Sequence, residues 1–146
     1  MSANTSANTV SNRRATSVQL PTDQELVLKV IPMPRDSNAN GDIFGGWVMA
    51  QVDLAGAVVP ARYAGGRMAT VAVNEFVFKH PVRVGDILSF FAKLTRIGRT
   101  SITVKVEVFA ERFGSQSEYT KVTEASLTYV AIDDEGRPRA IPAGGG

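Results

Sequence analysis

The sequence has no cysteine and a single histidine, His80. The first absence removes disulfides, thiolate nucleophiles and thiolate metal sites together, and it fits a reducing compartment. The second leaves no imidazole pair for a histidine-rich zinc site and none to spare for a serine triad, so no catalytic metal is expected. A large excess of charge is missing as well. Lys and Arg number 16 against 14 Asp and Glu, a net charge of +2, which argues against nucleic acid as a partner. Residues 1–20 hold no acidic residue and no apolar run of signal-peptide length, only Arg13, Arg14 and many Ser, Thr and Asn. They read as a disordered tail, and the expected compartment is the cytoplasm.

The remaining composition is that of one folded domain. A length of 146 residues is too short for two independent cores, and 44% hydrophobic with 21% charged residues is the balance of a globular protein. We expect the domain to span residues 21–142, with residues 143–146 as a second loose end. Glu25 to Ile31 is rich in Val, Leu and Ile and is closed by Pro32 and Pro34, which predicts a short first strand. Arg35 to Gly41 (RDSNANG) concentrates residues that bond their own backbone, and so predicts a structured loop.

Ile43 to Ala61 is nearly free of charge, and its Ala, Met, Gln and Leu favour a helix beginning near Gly46. A central Asp, three Gly and Pro60 make membrane insertion unfavourable, so this helix must be wrapped by protein, with Pro60 kinking it or marking its last turn. Four β-rich runs follow, at Met68 to Phe78, Ile87 to Arg96, Ser101 to Phe113 and Glu118 to Ile132. Ile102, Val104, Val106 and Val108 alternate with Thr103, Lys105 and Glu107, which predicts one buried and one solvated face and an antiparallel meander. Ile97 to Thr100 is short enough for a hairpin. Thr70 to Phe78 is apolar on both sides, with Val71, Val73 and Val77 on one and Ala72, Phe76 and Phe78 on the other, interrupted by Asn74 and Glu75. That pattern predicts a second subunit covering one face.

Asp53 is the only charged residue between Ile43 and Ala61. An ionised carboxylate on an apolar helix costs several kcal/mol unless partners or water compensate it. It is either a groove or capping residue, or a base or nucleophile lodged among Met49, Gly56 and Ala57. Gly45 and Gly46 precede the helix, where free amides and the helix dipole suit a developing oxyanion, although a simple turn would use the same pair. Gly46 and Asp53 are roughly 10 Å apart by helical rise, too far for one chain alone to complete a site. Asp42 and Asn38 to Gly41 read equally as turn and cap residues, and His80 as a strand-end residue outside the chemistry. Lys79, Arg83, Arg96 and Arg99 fall at strand ends where cations can meet phosphates or simply be solvated.

Pro34 to Gly56, PRDSNANGDIFGGWVMAQVDLAG, is similar to the segment that marks the YciA-like acyl-CoA thioesterases. The likeness runs on through Thr70 to Val73, Phe78 to Pro81, Val84 to Asp86, Gly98 to Ser101 and Ile141-Pro142, so it covers residues 25 to 142. It implies an α+β hot-dog fold, an antiparallel β-sheet wrapped around one long central α-helix, and hydrolysis of acyl-CoA to free fatty acid and coenzyme A. It implies Asp53 as general base or nucleophile, with Asp42 and Gly46 as further catalytic positions and Asp42 or Asn40 acting across a dimer interface. Asn40, Gly45, Phe78, Arg99, Thr100 and Ser101 become the expected substrate contacts. Coenzyme A belongs to the substrate, and no cofactor is implied. The implied assembly is a dimer with shared sites, built into a trimer of dimers. A non-catalytic acyl-CoA binding protein is the alternative on the same fold. A hot-dog dehydratase is disfavoured, because its histidine has no counterpart in the helix region.

Overall fold

The computed structural model describes residues 17–114 and 118–143. Most of the tail expected over residues 1–20, and residues 144–146 of the C-terminal end, lie outside the described residues. Val18, at the end of that tail, donates its N–H to the Tyr119 carbonyl at 2.9 Å.

Strand β1 (Glu25–Val30) ends at a single 3-10 turn, Pro34–Asp36, where Pro32 and Pro34 interrupt the strand. Helix α1 (Gly45–Ala64) follows, then β2 (Met68–Phe78), β3 (Asp86–Ile97), β4 (Ser101–Arg112) and β5 (Tyr119–Ala131). All sheet pairings are antiparallel, in the order β1-β3-β4-β5-β2. Only β3, β4 and β5 form the expected meander. After α1 the chain enters the far edge and pairs β2 with β5, and residues 79–85 carry it back beneath three strand positions to β3. Three strand spacings are roughly 14 Å, a span that seven extended residues reach with ease. Local pattern predicts each strand but not which one lies beside it, and this is where the meander expectation fails.

Val48, Val52, Ala55 and Val59 repeat at helical spacing along α1 and are buried against Leu88, Phe90, Val104, Val106 and Leu127 of the sheet. Burying each valine contributes about 1.5 to 3 kcal/mol. The opposite side of the helix is apolar and open in the single chain, with Leu54 63% and Met49 45% exposed. Pro60 does not end the helix. It lies buried inside, and α1 runs one further turn to Ala64 before Gly65 closes it at φ 70. That left-handed angle suits glycine, and it lets the chain turn directly into β2.

Strand β2 is a sheet edge whose outward valines are exposed, Val71 by 57% and Val77 by 62%. The Asn74-Glu75 interruption is a bulge: Glu75 takes φ 58, and the register with β5 shifts between Asn74 and Val77. The face of β4 expected to be solvated is only partly so. Glu107 is 8% exposed, because the segment before β1 contacts the outer face of the sheet, where Gln24 Nε2 donates to Glu107 Oε1. Phe91 and Phe109 meet edge to face nearby, at 5.8 Å between ring centroids.

Candidate active site

The loop before α1 is organised by Asn38. Its side-chain oxygen accepts the N–H groups of Asn40 (2.9 Å) and Asp42 (3.2 Å), and its own N–H donates to the Asp42 carbonyl at 2.7 Å. Gly41 takes φ 82 to close this turn. Asp42 is thereby set beside Arg83, with the guanidinium Nε 3.5 Å from its carboxylate. Ile43 N–H donates to the Val82 carbonyl at 2.7 Å, which ties the loop to the start of the β3 connection.

The helix starts without a side-chain cap, since Phe44 occupies the N-cap position and makes no side-chain bond there. Among the described residues, the N–H groups of Gly45 and Gly46 donate to no backbone carbonyl. The two glycines differ in their surroundings. A Cβ on Gly45 would stand 3.3 Å from the Phe78 ring, whereas nothing lies within 4 Å of one on Gly46. A side chain at Gly45 would thus crowd Phe78, whereas Gly46 is exposed, with open space where a side chain would stand. Asp42, Gly45, Val48, Phe78 and Val82 line a cleft of about 210 Å³ at this end of the helix.

Asp53 lies two turns further along, half-buried. Thr70 Oγ1 donates to its Oδ1 at 2.8 Å, and the Tyr129 hydroxyl approaches the same oxygen at 3.0 Å and the Asp53 backbone carbonyl at 2.7 Å. Thr70 and Tyr129 face each other directly across β2 and β5. Among the described residues no Lys or Arg forms a salt bridge with this carboxylate. Burial, reinforced by the charge of Asp53 and the bond to it, pushes the Tyr129 phenol well above its ordinary value, so it stays a protonated donor.

The sequence-predicted residues thus fall into separate groups within one chain. Asp42, Gly45 and Phe78 come together at the helix start, with Gly46 beside them and Asn40 in the adjoining loop. Asp53 sits near Thr70, eight residues and roughly 26 Å along β2 from Phe78. Arg99, Thr100 and Ser101 occupy the β3–β4 hairpin, at the Thr70 end of the sheet, with Arg99 exposed. The Thr100 carbonyl accepts from Ala131 N–H, and that of Arg99 from Ile141 N–H. A larger cleft of about 530 Å³, lined by His80, Arg83, Asp86, Arg112 and Tyr119, holds neither Asp53 nor the helix-start glycines. Thr70, Tyr129 and Asn38 were not singled out from the sequence. Asn38 belonged to a recognised loop and Thr70 to a recognised motif, but a tyrosine in an apolar strand reads only as core. Among the described residues no three metal-ligating side chains cluster, and no helix is long and apolar enough to cross a membrane.

Comparison with known proteins bears on most of the chain. A family profile described as the thioesterase superfamily matches residues 40–113. Acyl-CoA thioester hydrolase YciA of Escherichia coli (strain K12) is 45% identical over 120 residues, covering 81% of this chain and 91% of its own. The hexameric thioesterase of Yersinia pestis superposes with a TM-score of 0.79 at 46% identity, covering 86% of this chain and 100% of its own. A hexameric hotdog fold thioesterase of Campylobacter jejuni superposes with a TM-score of 0.77 at 41% identity, covering 84% of this chain and 93% of its own. With one long helix laid on a five-stranded antiparallel sheet and this likeness over four-fifths of its length, the chain belongs to the thioesterase superfamily, among its hot-dog-fold, YciA-like acyl-CoA thioester hydrolases.

Proposed function

We propose that this chain hydrolyses acyl-coenzyme A thioesters to the free fatty acid and coenzyme A, with Asp53 as the reacting carboxylate. One observation carries the reading. The only charged residue between Ile43 and Ala61 is held by two neutral hydroxyls and by no cation among the described residues, which leaves its charge available to the substrate. Acting as a base, Asp53 takes the proton of a water whose oxygen adds to the thioester carbonyl carbon; acting as a nucleophile, it attacks that carbon itself. In either route the C–S bond then breaks and the coenzyme A sulfur takes up a proton from water; in the second route a water then hydrolyses the acyl–Asp53 anhydride, which releases the fatty acid and restores the carboxylate. The carbonyl oxygen is stabilised by the amides at Gly45 and Gly46, which donate to no backbone carbonyl among the described residues.

Asp53 and Gly46 are roughly 10 Å apart by helical rise, so the site is assembled from two copies: the helix start with Asp42 and Asn40 from one, Asp53 from the other. The exposed Leu54, Val71 and Val77 and the unpaired edge of β2 support such a dimer. The hexameric relatives support a trimer of dimers. Phe78 borders the acyl cleft beside Gly45, and Arg99, Thr100 and Ser101 meet the coenzyme A phosphates from their exposed hairpin.

Thiol release from acetyl-, butyryl-, hexanoyl- and palmitoyl-coenzyme A tests the reading. Asp53→Asn should lower kcat by at least about 100-fold, as loss of a general base does. Binding of all four thioesters without turnover by the native chain would replace the enzyme with an acyl-CoA binding protein.

A further inference from the structure

We infer that the two oxygens of Asp53 have different jobs: Tyr129, together with Thr70, anchors Oδ1, and Oδ2 is the oxygen presented to the reacting atoms. The inference rests on the reading of Asp53 as the reacting carboxylate, and it makes Tyr129 a positioning residue.

Among the described residues, both side-chain hydrogen bonds that reach the carboxylate end on Oδ1, at 2.8 Å from Thr70 and 3.0 Å from Tyr129. Turning the carboxylate plane away from this orientation would break both, and a full half-turn would only exchange two equivalent oxygens. The Tyr129 hydroxyl also reaches the Asp53 carbonyl at 2.7 Å, so one donor pins the residue through its backbone and its side chain together. Tyr129 is 2% exposed and packs in the core, where a phenylalanine would fill the same space; the hydroxyl is the part that packing does not require.

The helix makes room for that hydroxyl. A Cβ on Gly56 would stand 2.6 Å from the Tyr129 oxygen, at the tip of a rigid ring with no flexible end to yield. A glycine in the middle of α1 runs against helix propensity, and here it seats the tyrosine one turn beyond the carboxylate that the tyrosine holds. Thr70 and Tyr129 are register partners on adjacent strands, so the sheet sets the distance between the two donors before either meets Asp53. Neither donor brings a charge, and among the described residues no counterion holds the carboxylate in competition with substrate.

Steady-state kinetics on the full-length protein tests this. Tyr129→Phe should lower kcat about tenfold with KM held within about twofold, since the hydroxyl orients the reacting group and does not touch substrate. Thr70→Val should act the same way, and Thr70→Ser, which keeps the hydroxyl, should restore the rate. In an Asp53→Asn background Tyr129→Phe should lower the residual rate no further, whereas a purely structural tyrosine would lower both backgrounds equally. Equal losses in both backgrounds, or native kcat in both Tyr129→Phe and Thr70→Val, would overturn the anchoring. Native kcat in Asp53→Asn would instead remove the reading beneath it. Should Tyr129→Phe fail to fold, the Thr70→Val and Thr70→Ser pair decides alone, because Thr70 is exposed at a sheet edge.

Discussion

The two faces of the sheet each hold partly buried carboxylates, and they treat them in opposite ways. On the outer face, Glu124 meets Lys79 at 3.2 Å, Lys105 at 3.3 Å and Lys121 at 3.4 Å. Its neighbour Glu107 meets Lys121 at 2.7 Å and accepts a bond from Gln24. Burial opposes the charge on Glu124, but the lysines more than offset it and hold the carboxyl down to about 2. Glu107 is likewise held below its ordinary value, burial being outweighed by Lys121 and Gln24. On the helix face, Asp53 has, among the described residues, only the hydroxyls of Thr70 and Tyr129. A carboxylate surrounded by lysines is committed to them and is a poor proton acceptor; one held by hydroxyls at a single oxygen is fixed in place with its charge unspent. The first arrangement ties strands together, and the second is the one we propose for the reaction.

The largest expected effect sets the two carboxylates against each other. Asp53→Asn should remove at least about 100-fold of kcat while Glu124→Gln leaves kcat within about twofold, measured by thiol release at equal folded concentration. A loss of comparable size in Glu124→Gln would erase the distinction. Gly56→Ala comes next. Its Cβ must displace the Tyr129 hydroxyl from 2.6 Å, so kcat should fall about as far as in Tyr129→Phe, and the melting temperature should fall as well, because the ring is buried in the core. A Gly56→Ala protein with native kcat and melting temperature would show that the seat is not needed.

A smaller effect follows from pH. Glu124 has its folded value depressed from 4.5 to about 2, so its contribution to stability is fully present above about pH 4.5 and is lost as pH falls toward about 2. Melting temperatures taken from pH 6 downward should therefore decline through that window, and Glu124→Gln should flatten the decline. The smallest effect is expected from Lys105→Met, which removes one of three lysines around Glu124. It should lower the melting temperature by a few degrees at most and leave kcat unchanged, since Lys105 is 40% exposed and the other two lysines remain.

Much of this was legible along the chain. The five strands and the helix lie within a few residues of where periodicity and breakers placed them, and Asp53 stood out because nothing else in its segment was charged. The interruption at Asn74-Glu75 was visible as a break in alternation and proved to be a bulge. The strand order was not legible, because pairing β2 with β5 depends on where a 20-residue helix sets the chain down. Nor was the burial of Glu107, whose alternation with valines marked it as solvated; the residue that covers it, Gln24, is 83 positions away. Tyr129 is 76 positions from Asp53, and no local pattern separates a tyrosine whose hydroxyl reaches a carboxylate from one that merely fills the core.

The sequence by itself determined the elements, their apolar faces and the one carboxylate out of place among them, because hydrophobic period, breaker residues and the desolvation of a charge all act over a few neighbouring residues. Only the tertiary structure decided which oxygen of that carboxylate is held and by what. Hydrogen bonds between Asp53, Thr70 and Tyr129 exist only after the helix has settled on the sheet, and their geometry is set by strand register and by the missing side chain of Gly56 rather than by any residue adjacent in the chain.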